Sequence, residues 1–135
     1  MEKVDRSNLF VYGTLKKSGR LHNVLGSSSE FLGIFKTTHN NFNMYDYGCP
    51  VIVLEHDGFK IKGELYSVTS ECMTRVTSVE VGAGYVPFIV EVNEDNYSEG
   101  DPLKAIAFLY PTPYIAKNIS NNVKEKDRAK EWDND

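Results

Sequence analysis

Cysteine is scarce in this sequence: Cys49 and Cys72 are the two among 135 residues. They form no Cys-x-x-Cys pair and no histidine clusters with them, so neither a disulfide framework nor a zinc ribbon is indicated. His22, His39 and His56 are scattered, and no metal site is expected. No run of about 18 apolar residues occurs, which excludes a membrane-spanning helix. The first eight residues lack the apolar stretch of a secretory signal. The expectation is therefore a cytoplasmic chain with reduced thiols and no membrane partner. Fifteen Lys and Arg stand against nineteen Asp and Glu, a net charge of −4. That balance argues against the broad basic face of a nucleic-acid binder. Neither Gly-x-Gly-x-x-Gly nor a Walker-type loop is present, so no conventional phosphate cradle is expected. What the chain does have is an ordinary globular composition, with 41% apolar, 12% aromatic and 25% charged residues. At this length one domain can bury roughly 68% of its unfolded area, enough for a core without staples.

The order of apolar runs predicts an α+β chain of about seven short strands and one main helix. Asn8 to Tyr12 is β-branched and aromatic and stops at Gly13, which predicts a strand. Residues 13–26 read as a loop with one helical turn. Strands follow at Phe31–Phe35, with Gly33 marking a bend or bulge, then at Phe42–Tyr47, broken by Gly48-Cys49-Pro50, and at Val51–Leu54. Asp57-Gly58 is a hairpin signal, with Phe59–Ser67 as the return strand. Thr69 or Ser70 can cap a helix whose apolar face carries Cys72, Met73, Val76 and Val79. Gly82 and Gly84 end it. Tyr85–Val92 reads as a strand that Pro87 confines to an edge or bulge, and Lys104–Tyr110 closes the series. Such a count fits a small barrel or strongly curved sheet with a helix against it. Residues 1–113 form the predicted domain. Residues 114–135, rich in Lys, Asp and Glu, are expected to be a charged tail outside the core, as a weak helix or disordered.

Three features can carry chemistry. A strand that ends at Gly13 turns the following N–H groups outward, where they can hold a carboxylate or oxyanion; a plain tight turn is the other reading. Glu80 lies four residues after Val76, on the helix face expected to be buried and at the C-terminal end of the dipole. Both placements raise a carboxyl pKa toward the range of a general base. An earlier helix end would instead leave Glu80 in a solvated loop. Glu64, inside Lys62–Tyr66, alternates with Gly63 and Leu65, and a solvent-facing strand carboxylate is the expected reading.

Together these pieces resemble the gamma-glutamylcyclotransferase-like family. The resemblance rests on Phe10-Val11-Tyr12-Gly13-Thr14-Leu15 followed by Gly19, Asn23 and Leu25, on Gly33, and on Pro50-Val51-Ile52. It continues through Ile61-Lys62-Gly63-Glu64-Leu65-Tyr66-Ser67-Val68, Val79-Glu80 before Gly84-Tyr85, and Ala105 to Tyr110, spanning roughly residues 8–111. It implies a small mixed β-barrel with flanking helices. It also implies release of 5-oxoproline from a gamma-glutamyl amine or amide, with no metal or cofactor. A catalytically inactive small-molecule-binding module of the same fold is the alternative. By the same resemblance Glu80 is the catalytic acid/base, and Tyr12, Gly13, Thr14, Leu15 and Tyr85 bind the substrate. The sequence departs from the family around the glutamate. Val76-Thr77-Ser78-Val79-Glu80-Val81 stands where members often carry Leu-Asp-x-Leu-Glu-Gly. An arginine common after the tyrosine is also absent, with Pro87 near its place. The implied partner is a small gamma-glutamyl molecule, and no oligomeric state is specified.

Overall fold

A computed structural model of the chain describes residues 5–13, 15–17, 19, 22–46, 49–95, 100–110, 129–132 and 134. Its centre is a closed mixed β-barrel. Strand β1 (Arg6–Val11) and β2 (Glu30–Thr37) flank a long strand that follows a separate hairpin of β3 (Phe42–Asp46) and β4 (Pro50–Leu54). That long strand is β5 (Lys60–Thr69), followed by helix α1 (Ser70–Gly82), β6 (Val86–Glu94), β7 (Leu103–Leu109) and a two-residue strand, β8 (Ala129–Lys130). The wall runs β1-β7-β6-β2-β5 and closes where β1 pairs again with β5. The closing pair is antiparallel from Arg6↔Thr69 to Val11↔Glu64. β1 meets β7 in parallel at Leu9↔Ile106.

Strand alternation accounts for two cores rather than one. Phe10, Phe35, Ile61, Leu65, Val92 and Ala107 come from all five wall strands and pack together. The residues between them in sequence, Leu9, Val11, Tyr66 and Val68, pack on the other side with Cys72 and Val76 of α1 and with Leu25. The wall is thus covered on both faces around β1 and β5. Closure requires Gly63: a Cβ there would lie 2.4 Å from the Val11 carbonyl oxygen across the closing pair.

Local chemistry explains the helix and the bulge. Thr69 caps α1 in an extended conformation and its hydroxyl accepts the Cys72 N–H at 3.2 Å, the usual device for an orphan first-turn donor. The β2–β5 register slips between Phe31 and Gly33, where Gly33 takes φ +139°. Pro87 pairs with β7 opposite Phe108, while β2 joins β6 only at residues 92–94. A missing N–H on the open side of β6 therefore costs no ladder bond.

Two expectations are corrected. Asp57-Gly58 does not make a β4–β5 hairpin: β4 pairs with β3, and β5 with β1 and β2. Asp57 itself takes the left-handed conformation, φ 55°. Gly58 is required by close approach, since a Cβ would come within 2.4 Å of the Phe42 carbonyl oxygen. The second correction concerns the charged end. Ala129 and Lys130 are buried and pair in parallel with Lys60 and Ile61, making an eighth strand. Of the tail expected over residues 114–135 as a weak helix or disordered, positions 114–128, 133 and 135 lie outside the described residues. No described helix is long and apolar enough to cross a membrane.

Candidate active site

A cavity of about 120 Å³ opens where β1 ends against the last turn of α1. Tyr12, Gly13 and Leu15 line it together with Val79, Glu80 and Ala83 of the helix end, and with Phe10, Val11, Cys49, Pro50, Tyr85 and Phe108. Each part follows from its element. β1 runs out of partners after Val11, so Tyr12 and Gly13 leave the wall as a turn. α1 extends through Glu80 to Gly82, so the helical reading of Glu80 holds and the solvated-loop reading does not. Pro50 opens β4, and Gly13 lies against it: a Cβ at residue 13 would sit 2.5 Å from Pro50 Cγ. Gly13 is thus demanded by packing against Pro50, rather than only by close approach of a ligand.

Glu80 is half-buried, and among the described residues it has neither an ion-pair partner nor a hydrogen-bond donor. Burial alone lifts its carboxyl from 4.5 to about 7. A carboxylic acid with that value exchanges its proton readily at neutral pH. Tyr12 and Tyr85 both line the cavity and donate their hydroxyl protons to backbone carbonyls. Tyr12 donates to the Phe108 carbonyl, and Tyr85 donates to the Pro50 carbonyl at 2.7 Å. Burial raises both phenols well above their ordinary value. The charges of Tyr85 and Glu80 add to this for Tyr12, and for Tyr85 the hydrogen bond with Cys49 adds next. Both therefore stay neutral and offer only oxygen lone pairs to a ligand.

The structure brings together Glu80, Tyr12, Gly13, Leu15 and Tyr85, all of which line the cavity. Thr14 lies outside the described residues. The two N–H groups that follow Leu15 are both engaged within the protein. The Lys16 N–H donates back to Gly13 O at 3.0 Å, and the Lys17 N–H donates to Glu64 Oε1 at 2.8 Å. Glu64 is accordingly not solvent-facing. It is 7% exposed and also accepts the Tyr66 hydroxyl at 2.9 Å. Because β5 is covered on both faces, alternation did not mark a wet side. His22 Nδ1 lies 2.8 Å from Leu15 O and adds a further tie to the loop.

Sequence reasoning missed Cys49, Pro50 and Phe108 as cavity residues. Cys49 Sγ lies 3.6 Å from the Tyr85 hydroxyl. Pro50 carried a signal, as the turn residue that reverses the chain into β4. Phe108 carried none, since only the parallel β1–β7 contact brings it beside Tyr12.

The sequence matches the family described as "Gamma-glutamyl cyclotransferase, AIG2-like" over residues 9–134, and the chain belongs to that family. Solved structures share the fold. An uncharacterised protein from Pyrococcus horikoshii is 28% identical, with a TM-score of 0.63 over 87% of this chain and 86% of that one. An AIG2-like protein from Mus musculus is 20% identical, with a TM-score of 0.69 over 82% of this chain and 80% of that one. A gamma-glutamyl cyclotransferase is 16% identical, with a TM-score of 0.63 over 79% of this chain and 68% of that one. No curated protein matches the sequence significantly.

Proposed function

We propose that the chain is a cyclotransferase that releases 5-oxoproline from a gamma-glutamyl amine or amide. The observation that carries this reading is Glu80: a carboxyl raised to about 7 by burial, in the wall of a cavity shared with the Gly13 turn. The reaction closes a five-membered lactam. The substrate's α-amine attacks its own γ-carbonyl, a C–N bond forms, and the γ-carbon's bond to the departing nitrogen breaks. At neutral pH the α-amine is an ammonium ion and has no lone pair. Ionised Glu80 takes its proton. The tetrahedral centre then loses a second proton from the same nitrogen, and the departing nitrogen gains two. Glu80 relays these protons, so it ends the cycle as it began and no covalent enzyme intermediate forms.

Positioning supplies the rest. An extended gamma-glutamyl chain holds its amine away from its carbonyl, and a cavity that keeps it folded supplies proximity. In our reading the lone pairs of Tyr12 and Tyr85, whose hydroxyl protons are engaged, suit the α-ammonium group. The amides of Lys16 and Lys17 are engaged as well, so in our reading an oxyanion or the α-carboxylate takes the N–H groups of Gly13 and Leu15 instead. The route uses neither metal nor cofactor.

The test is incubation of the purified chain with gamma-glutamyl amines and gamma-glutamyl dipeptides, followed by quantitation of 5-oxoproline. Release that depends on Glu80 supports the proposal. Saturable binding of the same compounds without release would replace it with a binding module of the same fold.

A further inference from the structure

We propose that the segment containing residues 129–132 and Asn134 positions the substrate turn, with Lys16 and Asn134 transmitting its hold. The inference rests on the reading of that turn as the substrate holder, and it concerns residues that do not line the cavity.

The segment is anchored first. Ala129 and Lys130 extend β5 in parallel. Lys130 is 2% exposed, its ammonium donates to Asn43 Oδ1 at 2.6 Å, and it stands 4.2 Å from the centre of the Phe59 ring. A buried ammonium keeps such contacts because losing them would strand its charge. Trp132 packs against the inner core of the barrel.

From this anchor two groups reach the turn. Lys16 is 7% exposed, and its Nζ donates to the Trp132 carbonyl at 2.8 Å with Glu131 Oε2 3.7 Å away. Trp132 Nε1 donates to Asn134 Oδ1 at 3.1 Å, which orients the amide so that Asn134 Nδ2 donates to Gly13 O at 3.2 Å. That same Gly13 carbonyl accepts the Lys16 N–H. The turn is therefore held from the barrel by Glu64 through the Lys17 N–H and from the opposite end of the sequence by Lys16 and Asn134. Lys16 is absent from the cavity lining, whereas Gly13 and Leu15 beside it belong to it. The Lys16 charge is spent on fixing the chain, and its effect on substrate passes through the turn.

The experiment uses the full chain with Lys16→Met, Asn134→Ala and Lys16→Arg. Lys16→Met keeps the buried stem and loses the donor; Asn134→Ala, at a half-buried position, preserves folding if Lys16→Met does not. For both, KM for a gamma-glutamyl amine should rise about tenfold, the worth of a lost hydrogen bond, with kcat held within about threefold. The limb of the pH profile near 7, which belongs to Glu80, should not move. Hydrogen exchange at the Lys16 and Lys17 amides should quicken about tenfold while β5 and β6 keep wild-type protection. Lys16→Arg, which retains a donor for the Trp132 carbonyl, should restore both readouts. Unchanged exchange in the turn overturns the inference, as does a kcat loss that merely follows the unfolded fraction. A wild-type chain that releases no 5-oxoproline would sink the cyclotransferase reading, and the exchange arm alone would then decide the positioning role.

Discussion

Replacing Glu80 by Gln should make the protein slower and more stable at once. Gln keeps the size and hydrogen-bonding ability of the side chain but cannot accept or return a proton. General acid–base catalysis contributes about 10²–10⁴-fold, so kcat should fall by that factor, or about 3–5 kcal/mol of barrier. The stability effect has the opposite sign. Burial raises the carboxyl from 4.5 to about 7, so the folded state binds its proton more tightly than the unfolded chain. That binding supports the fold fully below about pH 4.5, and the support is lost as pH rises through about 7. At pH 8 wild type carries the whole cost of an ionised, half-buried carboxylate. The span from 4.5 to 7 sets an upper bound of about 3 kcal/mol on that cost. Solvent screening at a half-buried site reduces it to about 1–2 kcal/mol. For a chain of this length that corresponds to a Tm gain of about 3–7 °C for Glu80→Gln at pH 8. At pH 4, where both side chains are neutral, the gain should vanish. The assays are single-turnover release of 5-oxoproline across pH 5–9 and thermal melts at pH 4 and pH 8. Wild-type kcat/KM should climb with a midpoint near 7, and the variant should lack that limb. A folded Glu80→Gln with near-wild-type rate, or one that melts no higher than wild type at pH 8, refutes the reasoning. Glu64 would then be the next carboxylate to test.

Gly13→Ala places a Cβ 2.5 Å from Pro50 Cγ and should cost about 1–3 kcal/mol. Pro50→Ala in the same chain should recover part of that, and melts of the double-mutant cycle measure the coupling. Gly63→Ala drives a Cβ to 2.4 Å from the Val11 carbonyl oxygen; urea unfolding should show a loss at or beyond the top of the about 1–3 kcal/mol range for overpacking. Thr69→Ala removes the acceptor for the Cys72 N–H and should lower stability by about 1 kcal/mol, whereas Thr69→Ser should stay close to wild type in the same melts.

What the sequence determined by itself was local. Thr69 before a run with Cys72 and Val76 at helical spacing specified α1, because a cap and a one-sided apolar stripe are properties of a dozen adjacent residues. The step from Val11 to Gly13 specified the end of β1 for the same reason. The helical spacing from Val76 to Glu80 then put a carboxyl on the buried face before any fold was known. Tertiary structure decided what depends on residues far apart in the chain. Asp57-Gly58 is good turn chemistry, but a turn does not choose its strand's partner. β5 pairs with β1 and β2 because closing the barrel covers both of its faces, which two-stranded pairing with β4 would leave open. That coverage also put Glu64 indoors, where alternation had read solvent. Alternation distinguishes one face of a strand from the other; it carries no information on whether the second face is wet. The charged stretch near Lys130 reads as solvated because charge is costly to bury unpaired. Only the fold could supply Asn43 and the Phe59 ring to Lys130, and the Trp132 carbonyl to Lys16. The cavity followed the same rule: residues from β1, β4, α1 and β7, with Tyr85 just ahead of β6, meet around Glu80 because a closed wall brings the ends of distant strands together.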